Sequence, residues 1–194
     1  GYAAIEAAAE LLLLKAESSL SFAYSSAADA IRSYLDSLYR FDQLYRHFHE
    51  AADVVEMAGW DVLKCLQTRV EEAYSGWFIP HLANGWGGLF AGERGLLHNW
   101  MAYGVQNQTQ FYASHVAPVL EQSPRSKVYV LISDAFRYEA AEELTQELNG
   151  KYRVDATLTA QLGVLPSYTA LGMAALLPHT QLAYKQSLDV LVDA

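Results

Sequence analysis

The chain has 194 residues, a mass of 21.5 kDa and a formal net charge of −9, from 13 Lys and Arg against 22 Asp and Glu. Hydrophobic residues at 52% and only five prolines exclude a disordered or fibrous chain, and this length buries a core without covalent staples. So acidic a chain is not expected to grip nucleic acid on its own, because a phosphate backbone repels it.

The opening segment Ala3 to Leu14 is apolar but carries Glu6 and Glu10. Without a basic leader or a small-residue cleavage site it does not read as a signal peptide. No apolar run approaches the roughly 20 residues that span a bilayer. The chain starts at Gly1 rather than Met, which suggests a piece of a longer protein. From Ala27, the residues Ile31, Leu35, Leu38, Phe41, Tyr45, Phe48, Ala52 and Val55 recur at spacings of three and four, one apolar stripe on a long helix. His47, His49 and Glu50 lie on that helix. Residues two apart point to nearly opposite faces, so the two histidines do not chelate together and read as solvated or partly packed. Asp61 to Tyr74 repeats the helical period with Val62, Leu66, Val70 and Ala73. The lone Cys65 precludes an internal disulfide and fits a reducing, cytoplasmic compartment. Trp77 to Leu82 continues the helix, with Pro80 expected to kink it or end it near Ile79. Gly85 to Gly95 holds five glycines and reads as a loop. It lacks a preceding strand and a following Lys-Ser/Thr, so it is no phosphate loop. Gln106 to Leu120 is another helix candidate. Nothing before Gln122 reads as a strand, so residues 1–122 are expected to form an all-helical region.

The pattern changes at Ser123-Pro124-Arg125-Ser126. Residues 1–123 carry 14 acidic and 7 basic side chains, a net of −7, whereas 124–194 carry 8 and 6, a net of −2. Lys127-Val128-Tyr129-Val130-Leu131-Ile132 is a β-branched apolar run that fits a strand buried on both faces of a parallel sheet. Ser133-Asp134-Ala135 reads as a turn. Tyr138 to Leu148 reads as a helix with Asn149-Gly150 as its stop, and its Glu139, Glu142, Glu143 and Glu147 read as a wet face. Tyr152 to Leu158 alternates like a second strand, Gln161 to Pro166 reads as a loop, and Ser167 to Leu177 as a helix ended by Pro178. Leu188 to Val192 opens a further strand. The fold class expected is therefore a helical region followed by the start of an α/β domain with a parallel sheet, residues 123–194, connected by right-handed crossovers.

Two positions carry candidate chemistry. Asp134 follows the carboxyl end of the first expected strand, the edge at which open α/β sheets bind ligands. A carboxylate there holds a divalent cation or caps the following helix. Pro166, Ser167 and Thr169 lie at a helix start, where free N–H groups and the helix dipole suit a phosphate. A hydroxyl there becomes a nucleophile when a cation lowers its pKa, or, for Ser167, simply serves as the N-cap.

The two signals combine in a resemblance. Val128-Tyr129-Val130-Leu131-Ile132-Ser133-Asp134-Ala135-Phe136-Arg137-Tyr138-Glu139 resembles the opening strand and metal-binding turn of the PglZ family. LPSYTALGMAALLPH, Leu165 to His179, resembles that family's second signature. The helical stretch Glu71 to Leu120 is similar to the region upstream of the catalytic domain in PglZ proteins of type 1 BREX phage-defence systems. The resemblance implies an alkaline-phosphatase-superfamily fold, and a metal-dependent hydrolase of phosphate esters, a phosphatase, phosphodiesterase or nuclease. It implies two divalent cations, zinc foremost, with Asp134 ligating one, and Thr169 as the nucleophile with Ser167 as the alternative. Arg137 would contact the phosphate or tie down Glu139. It also implies other BREX proteins as partners and a phosphate ester or nucleic acid as the substrate of the full-length enzyme. A two-metal site needs further Asp and His ligands, and His179 is the one histidine after Thr169. The chain is therefore expected to hold the start of a phosphatase domain and to be inactive alone. Two other readings compete: an interaction module whose helices dock a defence partner, and a nucleotide-binding domain without hydrolysis. The absence of Gly from Ser133 to Phe136 weighs against the last.

Overall fold

A computed structural model of the chain describes residues 1–17, 20–57, 63–91, 95–123, 125–184 and 190–193. Its helices are α1 (Tyr2–Ala16), α2 (Ala27–Ser33), α3 (Tyr39–Met57), α4 (Lys64–Ala73), α5 (Ile79–Phe90), α6 (Ala117–Gln122), α7 (Tyr138–Lys151) and α8 (Thr169–Leu176). Its strands are β1 (Gln106–Asn107), β2 (Gln161–Leu162), β3 (Gln181–Tyr184) and β4 (Val190–Asp193). The chain folds as two compact units, one of residues 1–100 and 137–156, the other of residues 101–136 and 157–194. Among the described residues no helix is long and apolar enough to cross a membrane.

The first unit is helical. Ser26 caps α2, its side chain accepting the Asp29 N–H at 3.1 Å. From Ala27 to Met57 the backbone is helical throughout, with a wide π-turn at Tyr34–Leu38 joining α2 to α3. The apolar stripe buries Leu38, Phe41, Phe48, Ala52 and Val55 against Leu11 and Leu14 of α1, Val70 and Ala73 of α4, and Phe78. Phe41 and Phe78 stack with ring centres 4.4 Å apart.

The second expected helix starts at Lys64; Asp61 and Val62 lie outside the described residues. Pro80 neither ends nor breaks it. A π-turn at Tyr74–Phe78 joins α4 to α5, and Pro80 falls in the first turn of α5. Proline has no N–H to give the carbonyl four residues back and its ring clashes there. That carbonyl belongs to Gly76, inside the wider turn, which takes up the misfit. Pro118, at the start of α6, follows a second π-turn, Tyr112–Val116, in the same relation to Ser114. The glycine-rich tract is not a loop up to Phe90: α5 runs through Gly85, Gly87 and Gly88. A Cβ at Gly85 would lie 2.3 Å from the Phe22 carbonyl oxygen, so the glycine lets the segment before α2 cross this helix at close range. α7 continues through Asn149 and Gly150 to Lys151. Asn149 instead reaches forward, its side chain bonding both the N–H and the carbonyl of Ala156 at 2.8 and 2.9 Å.

The second unit corrects the expected strands. Val128–Ile132 forms no strand. Tyr129 and Leu131 are 81% and 94% exposed, and no described strand pairs with the run. An apolar β-run becomes a central strand only where neighbouring edges accept its N–H and C=O groups on both sides. Tyr152 to Leu158 is likewise outside any strand, with Tyr152 and Val154 exposed. The parallel pair is built elsewhere. β1 lies where a helix was expected, and β2 where a loop was expected; they pair in parallel with Gln106 opposite Gln161 and Asn107 opposite Leu162. The segment after β1 is helical, through a short turn at Gln108–Gln110, the π-turn and α6. α8 begins two residues later than Ser167. β3 and β4 form an antiparallel pair; β4 covers Val190 to Asp193, while Leu188 and Asp189 lie outside the described residues.

Candidate functional site

Asp134 and Thr169 meet in the second unit. Asp134 sits in the turn after the exposed apolar run, followed by Ala135 at φ +53°. That left-handed conformation is costly for a residue with a Cβ. The Ala135 N–H donates to Asp134 Oδ1 at 3.0 Å, so the carboxylate fastens its own turn. It does not cap α7, whose N-cap is Arg137 with no side-chain bond. The other carboxylate oxygen, Oδ2, accepts the Thr169 hydroxyl at 3.0 Å across 35 positions of sequence.

Thr169 is the first residue of α8. Tyr168 is its N-cap; its carbonyl accepts the Gly172 N–H at 3.0 Å, and no side chain caps the helix. The N-cap role considered for Ser167 therefore falls to Tyr168. Ser167 is exposed, two residues ahead of the helix and after the cis Leu165–Pro166 bond. Asp134, Ser167 and Thr169 share an open cavity of about 420 Å³ in the second unit, with an apolar side of Ile132, Phe136 and Met173. The arrangement presents an oriented hydroxyl at the positive end of a helix dipole, beside a carboxylate with room for a ligand. The described residues do not fit a zinc ion by themselves. Asp134 offers one carboxylate, and no group of three or more His, Cys, Asp or Glu side chains among the described residues comes together to hold a metal.

Arg137 is engaged in the first unit. Its Nη2 donates to Asp42 Oδ1 at 2.7 Å, and its Nε lies 3.5 Å from Glu139 Oε1. Asp42 is 5% exposed and accepts two more hydrogens, from Tyr34 and Tyr74, each at 2.5 Å. Burial, then the hydrogen bond to Asp42, raise the Tyr34 hydroxyl well above its ordinary value and push that of Tyr74 up to about 12. The bond to Tyr74 and the Asp42 charge hold Arg137 protonated.

The glutamates of α7 are not a uniform wet face. Glu139 is fully buried, and its Oε2 receives Arg46 of α3 through Nε at 3.0 Å and Nη2 at 2.8 Å. Arg46 also reaches Glu143 at 2.6 Å. Burial would lower the Arg46 pKa, but its bonds to Glu139 and Glu143 outweigh that and raise it. A forked guanidinium matched to carboxylates on a facing helix is what allows an acid inside. Burial raises the Glu143 carboxyl, yet Arg46 and His47 together hold it low. His47 contacts Glu143 and His49 contacts Glu71, at 2.5 and 3.0 Å. Sequence reasoning missed Asp42 and Arg46. Asp42 had a signal, a carboxylate four residues from Leu38 on the buried stripe; Arg46 showed only an ordinary helix pair with Glu50, since its partners on α7, Glu139 and Glu143, lie more than 90 positions away.

Comparison with known proteins bears out the resemblance. Residues 111–194 match the family model of the BREX system PglZ alkaline phosphatase-like domain. The chain is 42% identical over 186 residues, 96% of its length, to the alkaline phosphatase-like protein BrxZ of Escherichia coli O9:H4 (strain HS), covering 21% of that protein. It is 36% identical over 169 residues, 87% of its length, to the alkaline phosphatase-like protein PglZ of Bacillus cereus (strain H3081.97), covering 19%. The chain thus spans about a fifth of the length of these curated relatives. No solved structure matches it significantly.

Proposed function

We propose that the full-length protein is a metal-dependent phosphoric ester hydrolase, a phosphatase or phosphodiesterase, and that this chain supplies its nucleophile, Thr169, and one cation ligand, Asp134. The observation that carries the reading is the 3.0 Å bond from the Thr169 hydroxyl to Asp134 at the start of α8, inside the stretch that matches an alkaline phosphatase-like family. In the reaction, Thr169 Oγ1 gives up its proton and bonds to phosphorus while the ester bond to the leaving oxygen breaks and that oxygen takes a proton. Water then hydrolyses the phosphothreonine. The Asp134 bond orients Oγ1 beforehand, and the amides of the first turn of α8 face the phosphoryl charge. A divalent cation, zinc foremost and two in a complete site, would supply Lewis acidity and lower the hydroxyl pKa. Its other ligands are not among the described residues. The setting of the reading is BREX antiphage defence in the cytoplasm, with other BREX proteins as partners and a phosphate ester or nucleic acid as substrate. Arg137, held by Asp42, takes the role of tying down Glu139 rather than contacting phosphate.

Hydrolysis of bis(4-nitrophenyl) phosphate by full-length variants at matched metal loading tests this. Thr169→Ala is expected to lose roughly 1,000-fold or more in kcat, Asp134→Ala to lose activity and metal, and Ser167→Ala to stay active. A dead Ser167→Ala with an active Thr169→Ala moves the nucleophile; activity in both removes it from this segment. The 194-residue chain alone is expected to turn over nothing.

A further inference from the structure

We infer that Gln108 is the positioning residue for the nucleophile, an inference that rests on the reading of Thr169 above. Gln108 lies three positions before the stretch matched by the family model, in the turn that follows β1. Its side chain makes two bonds to backbone in the segment that carries Thr169. Oε1 accepts the Val164 N–H at 3.2 Å, and Nε2 donates to the Gly172 carbonyl at 3.0 Å. Val164 follows β2, and Gly172 lies one turn into α8.

The geometry explains why an amide of this length stands here. β1 and β2 pair over two residues only, ending at Asn107 opposite Leu162. The Gln108 amide continues that pairing by one more accepted N–H, then spans to the helix with its donor. The terminal amide of Asn or Gln carries a donor and an acceptor on one planar group at any ordinary pH, and Asn is a methylene shorter. The loop 163–168 is thereby pinned at its start and, through α8, at its far end. That fixes the first turn of the helix where Thr169 reaches Asp134. Gln108 lines the same cavity as both, but its bonds are to backbone, so it acts through them.

The support under Gln108 is built from its own neighbours. Asn107 and Gln110 form a reciprocal capping box, with the Asn107 N–H donating to Gln110 Oε1 at 3.2 Å. Gln106 Nε2 donates to the Gln110 carbonyl at 3.3 Å, and Gln106 Oε1 meets His115 Nε2 at 2.8 Å. The polar run Gln106 to Gln110 is a brace, and a group held on a brace fixes what it touches.

The test uses the full-length protein with Gln108→Leu, Gln108→Glu and, as a control in the same turn, Thr109→Ala. Steady-state hydrolysis of bis(4-nitrophenyl) phosphate, bound metal and amide exchange of residues 160–176 are measured together. Misplacing a nucleophile by about an ångström costs on the order of 100-fold. Gln108→Leu is therefore expected to lose roughly that factor in kcat, with KM within about threefold and metal content unchanged. Amide exchange should accelerate across 163–172. Gln108→Glu, which keeps the acceptor for Val164 but not the donor for Gly172, should fall between Leu and wild type, and Thr109→Ala should match wild type. A kcat within about threefold of wild type at unchanged exchange would overturn the inference, as would a loss confined to KM or accompanied by loss of metal. Where Gln108→Leu does not fold, the Glu variant decides by the same limits. An active Thr169→Ala sinks the nucleophile instead, and the exchange measurement then decides the clamp alone.

Discussion

Asp42 concentrates the electrostatics of the helical unit in one residue. Its carboxylate sits within the core and takes hydrogens from Tyr34, Tyr74 and Arg137. The two tyrosines remain donors only while they keep their protons. A tyrosine whose folded pKa is raised keeps its proton above pH about 10, where the unfolded chain gives it up. The stability it contributes is whole below that pH and is lost as pH rises toward the folded value, about 12 for Tyr74. Unfolding in urea should therefore show stability falling by about 1.4 kcal/mol per pH unit between pH 10 and 12 for each tyrosine so held. Tyr74→Phe should be less stable at pH 8 but decline less steeply, by about one proton. An equal slope in both proteins would show that Asp42 does not hold Tyr74. At this scale the sequence was partly legible. Asp134 and Thr169 stood out, Thr169 in the first turn of a helix that the structure contains and Asp134 after an expected strand that it does not. Glu139 did not, because an amphipathic period tells which face is wet only when the partner across the face is known, and Arg46 is 93 positions away.

A helix that runs through glycines shows how packing overrides local preference. Each glycine in a helix interior costs roughly 0.5–1 kcal/mol relative to alanine. Three in α5 therefore read as a loop by propensity alone. What it lacked was the neighbour. At Gly85 a side chain would meet the Phe22 carbonyl oxygen at 2.3 Å and the Tyr24 ring at 2.8 Å, whereas at Gly87 and Gly88 nothing lies within 4 Å. The three positions are therefore not equivalent. Gly88→Ala is expected to stabilise the protein by roughly 0.5–1 kcal/mol, and Gly85→Ala to destabilise it by about 1–3 kcal/mol as backbone is forced apart. Thermal unfolding of the two single variants checks this, and a Gly85→Ala variant as stable as Gly88→Ala would remove the close crossing. The short strands were illegible for a different reason. A pair two residues long has no period to detect, and Gln-Asn beside Gln-Leu has little β preference.

The chain passes between its two units three times, at 100–101, 136–137 and 156–157. Periodicity locates helices but not the surfaces that receive them, so it identified α7 without assigning it to α3 of the first unit. The same gap governs the run Val128 to Ile132. Its composition states a need for burial on both sides, and in this chain that need is unmet, with Leu131 94% and Tyr129 81% exposed. An unpaired, β-branched apolar run is a template for another copy of itself. The net charge of −9 opposes association in general but acts over the whole surface, with no special effect at one strand. The 194-residue chain should therefore self-associate as its concentration rises, through this run. Leu131→Asp should suppress that association. It should alter stability by less than about 0.5 kcal/mol, since the side chain it removes is in solvent. Tyr2→Asp separates pattern from charge: Tyr2 is 92% exposed, lies outside the run, and gains the same negative charge on substitution. Light scattering over a concentration series is the measurement. Monomeric Leu131→Asp beside an associating Tyr2→Asp locates the contact at the run. Equal behaviour of the two variants makes it a matter of net charge, and the run is then not the contact.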